Sequence, residues 1–124
     1  MDKNYYITTP IYYVNDKPHI GHAYTSIACD VLARFKRLDG YSVKFLTGTD
    51  EHGQKVEKAA KSQNKSPLEY ANFISKDFKS LTKTLNLSND DFIRTTEKRH
   101  ILAAQSLWSK LYENKHIYLD KYAG

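Results

Sequence analysis

Two short segments of the sequence combine residue types that can do chemistry on phosphates and amines. The first is His19-Ile20-Gly21-His22, in which two imidazoles lie three positions apart with a glycine between them. The second is Gly48-Thr49-Asp50-Glu51-His52-Gly53, which holds two carboxylates and a histidine between glycines. Imidazole N–H groups donate hydrogen bonds to anions, and a carboxylate attracts a cation such as an ammonium group. The first segment therefore favours an anionic ligand. The carboxylates Asp50 and Glu51 of the second fit either a cation site or the ordinary negative charge at a helix N-terminus.

The histidine segment stands where a long helix is predicted to begin. Free backbone N–H groups and the helix dipole favour phosphate at such a position, and side chains three residues apart share one side of the first turn. Gly21 has no Cβ and lets a purine or its ribose lie against the backbone. The segment thus suits a nucleotide whose α-phosphate is attacked. From these residues alone, a metal site and two incidental helix caps remain open alternatives.

Strand and helix patterns alternate around these segments, which predicts an α/β fold. A short aromatic and β-branched strand over 5–9 ends at Pro10, a helix runs over 20–38, and a second strand covers 42–47. A crossover helix of this length implies parallel strands, and parallel sheets bind ligands at the carboxyl ends of their strands. The loops 10–18 and 48–52 leave two such ends. The apolar stripe of the helix consists of Ile20, Tyr24, Ile27, Val31, Phe35 and Leu38, with an Asp30–Arg34 pair expected on its outer side.

The second half of the sequence is predicted to be mainly helical. Helices are predicted over 52–63, after the capping box Ser66-Pro67-Leu68-Glu69, and from Thr96-Glu97 onward. The core faces of the first two are Val56, Ala59 and Ala60, and Ala71, Ile74, Phe78, Leu81 and Leu85. Short strands are predicted at Phe92-Ile93 and Ile117-Tyr118-Leu119. Trp108, at helical spacing in the last helix, is expected in the core.

Composition narrows the function classes. A chain of 124 residues is about one domain, and no apolar run approaches a membrane span or an export signal. The net charge of +5 and pI near 9.2 favour an anionic partner such as nucleotide, phosphate or RNA, although the lysines over 55–65 fit a solvated helix face equally well. The single cysteine, Cys29, fits a reducing cytoplasm and a buried, inert thiol.

Three segments of the sequence together resemble the bacterial methionyl-tRNA synthetase family. They are residues 6–24, which contain the histidine segment, residues 45–53, and the run Phe92-Ile93-Arg94-Thr95-Thr96-Glu97. His-Ile-Gly-His marks class I aminoacyl-tRNA synthetases in general, whereas Thr-Gly-Thr-Asp-Glu-His-Gly points to the methionine enzymes. The resemblance runs from Tyr5 to Gly124.

The resemblance implies a Rossmann-like parallel sheet with flanking helices and a two-step reaction. Methionine first attacks the α-phosphate of ATP, supplied with Mg²⁺, and the methionyl group then passes to tRNA in the cytoplasm. By the family's pattern, His19 and His22 are catalytic and bind ATP, with Gly21 beside the adenosine. Asp50 holds the methionine ammonium group. The methionine pocket is lined by Ile11 and Tyr13, with His52 beside it.

The resemblance also implies that residues 1–124 are the N-terminal half of a class I catalytic domain. The family continues into a connective domain that often holds zinc, a Lys-Met-Ser-Lys-Ser loop and an anticodon-binding domain. Neither that loop nor a zinc site is found here, so the segment is expected to be inactive alone. Two other hypotheses stay open: another His-x-Gly-His nucleotidyltransferase, and a non-catalytic module that binds ATP or RNA through the basic helix.

Overall fold

The computed structural model describes residues 3–121 and contains a four-stranded parallel sheet with helices packed on it. Its elements are β1 (Asn4–Thr8), β2 (Tyr12–Tyr13), α1 (Ile20–Leu38), β3 (Ser42–Asp50), α2 (Gln54–Ser62), α3 (Pro67–Thr84), β4 (Asp91–Arg94) and α4 (Lys98–Glu113). The predicted α/β class with parallel strands is confirmed, and no helix within residues 3–121 is long and apolar enough to cross a membrane.

Strand β3 is the centre of the sheet. β1 and β2 pair with it along one edge and β4 along the other, because neighbouring carbonyls of β3 point to opposite edges. The carbonyls of Leu46 and Asp50 accept from Thr9 and Val14, and those of Phe45 and Thr49 accept from Asp90 and Thr95. Between β1 and β2 the three residues 9–11 face the two residues 47–48, so this edge carries a bulge at Pro10.

β3 is longer than the sequence predicts, since it runs through Asp50 instead of ending at Thr47. Glycine and aspartate are poor strand residues, which is why the pattern ended the strand early. Gly48 is required here because β4 approaches closely: a Cβ at this position would lie 2.0 Å from the carbonyl oxygen of Ile93. The candidate segment 48–53 therefore begins inside the sheet, and the predicted loop 10–18 contains β2.

The main core lies between β2, α2 and α3. Its buried residues are Tyr12, Val14, Val56, Ala60, Tyr70, Ala71, Ile74 and Phe78. The predicted inner face of α2 and the first part of that of α3 are thus confirmed, but Leu81 and Leu85 are only half-buried and lie outside this core. Helix α3 begins with the predicted Ser66–Glu69 capping box. Phe78 of α3 also contacts the ring of His22, so α3 and the first turn of α1 lie on the same side of the sheet.

Helix α1 presents its apolar stripe to solvent within the described chain, and the stripe is not a core face there. Ile20 is 85% exposed and Phe35 58%, whereas the buried residues of α1 are Ser26, Asp30 and Ala33. Small and hydrogen-bonded side chains let the helix lie close to the sheet, so the polar face is the inner one. The helical periodicity of the apolar residues is as predicted, but the neighbouring strands determine which face of the helix is buried.

The Asp30–Arg34 pair forms, at 2.7 Å, but Asp30 lies inside and not on the outer side as predicted. Its Oδ1 accepts hydrogen bonds of 2.6 Å from both the N–H and the hydroxyl of Ser88, in the loop before β4. Burial alone would raise the pKa of Asp30, but the hydrogen bonds from Ser88 and Arg34 outweigh it and hold the pKa below its usual range. This carboxylate therefore ties α1 to the approach of β4.

The last helix differs most from prediction. No residue of α4 is buried within the described chain, and Trp108 is 62% exposed, so its expected core position is wrong here. Residues 117–119 do not form the predicted strand. Cys29 is only half-buried, whereas the sequence predicted a buried thiol. Its Sγ lies 3.8 Å from the carbonyl oxygen of Thr8. Partial burial raises the pKa of the thiol, which fits an unreactive cysteine.

Candidate active site

The two histidines form a reciprocal capping box at the start of α1. His19 is the N-cap residue, and its Nδ1 accepts the backbone N–H of Gly21 at 3.1 Å. The Nδ1 of His22 accepts the backbone N–H of His19 at 3.0 Å. A nitrogen that accepts a hydrogen bond carries no proton, so this capping geometry fits the tautomer of each ring that has its proton on Nε2. Capping therefore leaves one N–H donor on each ring for a ligand.

Aromatic neighbours fix the ring of His22. It packs edge-on against Tyr12 and Phe78, with centroid distances of 4.7 and 5.1 Å, and its centroid lies 3.9 Å from that of His19. Burial, and secondarily the charge of His19 when protonated, lower the pKa of His22. The ring of His22 therefore stays neutral at pH 7, as the capping geometry requires.

Gly21 makes room for the folded-back ring of His19. A Cβ at Gly21 would lie 2.9 Å from Cε1 and 3.1 Å from Nδ1 of that ring. The His19 ring therefore explains why position 21 is a glycine, without reference to any ligand. That an adenosine binds against the backbone of Gly21 remains a prediction from the family resemblance.

A pocket of about 440 Å³ opens beside the histidines. Its lining residues are Ile11, Tyr12, Tyr13, Asn15, Asp16, Lys17, His19 and His22. The structure thus brings the predicted residues Ile11 and Tyr13 to the same cavity as both histidines, and leaves them 41% and 51% exposed. Tyr12 borders the cavity as well but is buried, and its hydroxyl lies in the core, 3.0 Å from Oγ of Ser26. Strand alternation explains this division.

Asp50 is the last residue of β3 and is directly opposite Tyr13 in the sheet register. Its carboxylate therefore stands at the carboxyl end of the central strand, beside the pocket residue Tyr13 in the sheet, although Asp50 itself does not line the cavity. Among residues 3–121 its one recorded side-chain hydrogen bond comes from the backbone N–H of His52, at 3.5 Å. The Nε2 of His52 lies 3.4 Å from the carbonyl oxygen of Thr95, so this ring is turned toward the end of β4.

Three residues near the site were not assigned a role from sequence. Lys17 lines the pocket and brings a cation close to the start of α1. The sequence feature that could have indicated its role is its position just before the histidine segment. Glu51 was interpreted only as a helix-terminal charge, yet its buried carboxylate pairs with Arg94 at 2.7 Å. Within residues 3–121, no cluster of three or more histidine, cysteine or acidic side chains is arranged to hold a metal ion.

The parallel sheet, with a histidine-capped helix beyond one strand and a carboxylate at the end of the next, matches the fold of class I aminoacyl-tRNA synthetases. The model of the family "tRNA synthetases class I (M)" matches residues 5–124, and the chain belongs to that family. The chain is 60% identical over its whole length to the methionine–tRNA ligase of Rickettsia bellii and 54% identical over 99% of its length to that of Bacillus subtilis.

Solved structures agree with this assignment. Mycobacterium tuberculosis methionyl-tRNA synthetase in complex with methionyl-adenylate superposes with a TM-score of 0.93 at 50% identity, over 98% of this chain and 24% of that one. The Agrobacterium radiobacter K84 LeuRS in its ternary complex with tRNA and LeuAMS superposes with a TM-score of 0.81 at 28% identity, over 96% of this chain and 16% of that one. The chain spans 24% of the Rickettsia relative and 18% of the Bacillus relative.

Proposed function

We propose that residues 1–124 are the N-terminal half of the catalytic domain of a methionine–tRNA ligase and bind its ATP and methionine. The observation that carries the proposal is the pocket that both histidines share with Tyr13, the residue paired with Asp50 at the carboxyl end of the central strand. The similarity to a synthetase solved with methionyl-adenylate supports methionine as the amino acid.

In the first step, a carboxylate oxygen of methionine attacks the α-phosphate of ATP and pyrophosphate leaves. Negative charge grows on the phosphate oxygens in the transition state, where preorganised donors contribute most. The Nε2–H groups of His19 and His22 supply such donors at the start of α1. Mg²⁺ accompanies the ATP phosphates, and no residue of this chain is assigned to it.

Methionine binds at the part of the site that contains Asp50. The Asp50 carboxylate, with acceptor capacity left over, pairs with the α-ammonium group. Ile11 and Tyr13 offer an exposed apolar and aromatic wall for the thioether side chain, and His52 lies beside Asp50. The ammonium is then held at the strand ends while the carboxylate points toward the histidines.

The second step transfers the methionyl group to the terminal ribose of tRNA, in the cytoplasm. The further parts of the family's catalytic domain would supply the positive charge that stabilises the leaving pyrophosphate. They would also supply the contacts to tRNA. We propose the same division of labour for this chain, with residues 1–124 responsible for the first step's α-phosphate and methionine contacts.

The test is a chimera in which residues 1–124 replace the matching segment of the Rickettsia bellii relative, which they match at 60% identity over 124 residues. We expect methionine-dependent exchange of pyrophosphate into ATP, with the other amino acids inactive. The same chimera carrying His19→Ala and His22→Ala is the inactive control. Exchange dependent on a different amino acid would indicate another synthetase. A folded chimera without any exchange would overturn the proposed function.

A further inference from the structure

We propose that Glu51 and Arg94 are positioning residues for methionine: their buried ion pair fixes the turn that carries Asp50 and His52. The inference rests on the proposed function, because it concerns the same methionine site. Glu51 follows Asp50 directly, and Arg94 is the last residue of β4, on the neighbouring strand. Neither residue lines the pocket beside the histidines.

The Glu51 carboxylate is fully engaged by the protein. Its side chain is 0% exposed, and Arg94 donates to it from Nε at 2.7 Å and from Nη2 at 2.9 Å, the paired geometry that holds a carboxylate in one orientation. The hydroxyls of Thr49 and Thr96 donate to the same two oxygens. A carboxylate so enclosed has no face left for a ligand, so its role is to hold other groups in place.

The backbone around Asp50 is tied to the end of β4 at each neighbouring residue. The carbonyl of Thr49 accepts the N–H of Thr95 at 3.2 Å, and the N–H of Glu51 donates to the Thr95 hydroxyl at 2.9 Å. His52 Nε2 lies 3.4 Å from the Thr95 carbonyl oxygen. The network thus holds the backbone on both sides of Asp50, and none of these hydrogen bonds uses the Asp50 carboxylate.

Arg94 extends the clamp to helix α3. Its Nη2 also donates to Oδ1 of Asn72 at 2.6 Å, so the guanidinium joins β3, β4 and α3. The hydrogen bond to Glu51 raises the pKa of Arg94, which keeps the guanidinium charged. An unpaired buried carboxylate is unfavourable, so loss of Arg94 would push Glu51 toward solvent and drag the attached turn with it. The two side chains therefore act as one unit on Asp50.

The experiment compares methionine and ATP kinetics in the same chimera. For Glu51→Gln and for Arg94→Lys we expect the KM for methionine in pyrophosphate exchange to rise on the order of tenfold, since a small misplacement of a binding group is costly. The KM for ATP should stay within about twofold, because the histidine capping box is untouched. The double variant should be no worse than the more impaired single variant, as expected of one unit.

Thr96→Val tests the same clamp without changing any charge and should raise the KM for methionine by a smaller factor. Asp91→Asn is the matched control, because Asp91 pairs with Arg99 through two bonds at the opposite end of β4. It should leave the KM for methionine unchanged. Equal rises in both KM values, or a fall in kcat alone, would overturn the positioning role and mark the pair as structural. An unmodified chimera without exchange would instead overturn the proposed function.

Discussion

The two nitrogens of each histidine ring have different roles at the start of α1. Nδ1 caps the helix, and Nε2 carries the proton that is offered to a ligand. The sequence left helix capping and phosphate binding as competing interpretations of His19 and His22. In the structure the two are compatible, because capping selects the tautomer that phosphate binding needs.

Substitutions at His22 can separate the two roles. His22→Asn retains an acceptor near the position of Nδ1 and removes the distal donor, whereas His22→Gln places an amide N–H nearer to Nε2. We expect His22→Asn to raise the activation free energy of methionyl-adenylate formation by roughly 3–4 kcal/mol, as much as His22→Ala does. His22→Gln should raise this activation free energy by less. Single-turnover adenylation in the chimera measures this. Equal activity of the Asn and Gln variants would argue against the distal donor.

Asp50→Asn removes a charge and retains the shape. Methionine binding should weaken by about 1.5–3 kcal/mol, the range of a hydrogen bond to a charged group, because the α-ammonium loses its counterion. ATP affinity should be almost unchanged. Isothermal titration of the chimera with each ligand measures both constants, and Asp39→Asn, an exposed aspartate at the end of α1, is the control. Loss of ATP affinity instead would assign Asp50 to a metal or ribose contact.

At the scale of elements, the approach of β4 to β3 depends on Gly48. Its replacement by alanine would place Cβ 2.0 Å from the Ile93 carbonyl oxygen, and a backbone atom cannot move aside as a side chain can. We expect Gly48→Ala to destabilise this sheet edge by about 1–3 kcal/mol and to weaken methionine binding, because β3 ends at Asp50.

Hydrogen exchange of the β4 amides measures the effect of Gly48→Ala. Gly40→Asn is the control, because Gly40 has a φ of 81° with no atom within 4 Å of a built Cβ, and asparagine tolerates such a backbone. Unchanged protection of β4 in Gly48→Ala would show that the two strands can separate without loss.

The link between α1 and the loop before β4 should depend on pH. The pKa of Asp30 is lowered in the folded protein, so its stabilisation is present at neutral pH and disappears as the pH falls through that lowered pKa, below 3.8. Asp30→Asn should therefore reduce protection of the α1 amides by about 1–3 kcal/mol at pH 7, and by progressively less as the pH falls below 3.8 toward the lowered pKa. Hydrogen exchange corrected for intrinsic rates checks this. A difference independent of pH would mean that shape, and not charge, matters at Asp30.

At the scale of the whole molecule, two apolar faces of the described chain lack partners. The outer stripe of α1 and the exposed apolar residues of α4, among them Trp108, Leu107 and Tyr112, would need cover to be stable in water. The net charge of +5 opposes association but does not hide apolar surface.

We therefore expect the isolated 124-residue chain to bind a hydrophobic dye, to associate in light scattering and to lack methionine-dependent pyrophosphate exchange. The chimera, in which the same segment sits in a longer chain, is the control and should be monodisperse and active. An isolated monomer that is silent to the dye and catalyses exchange would contradict this prediction and define a self-sufficient minimal enzyme.

The sequence by itself determined the features that depend on near neighbours along the chain. Periodicity and capping residues located α1 and α3, and the order of strands and helices implied a parallel sheet with ligand groups at its strand ends. These predictions hold because helix spacing, caps and crossover length are local properties. The family resemblance assigned Ile11, Tyr13 and the histidines to ligand binding, and in the structure these four residues line one cavity.

Only the tertiary structure decided which partner each face meets. The outward stripe of α1 and the exposed Trp108 follow from the strands and helices actually packed nearby, which periodicity cannot specify. The extension of β3 through Gly48 depends on a strand 45 residues later, and the Glu51–Arg94 pair joins residues 43 positions apart. Such contacts form between groups distant in sequence, so the physical cause lies in the sheet topology and not in any local pattern.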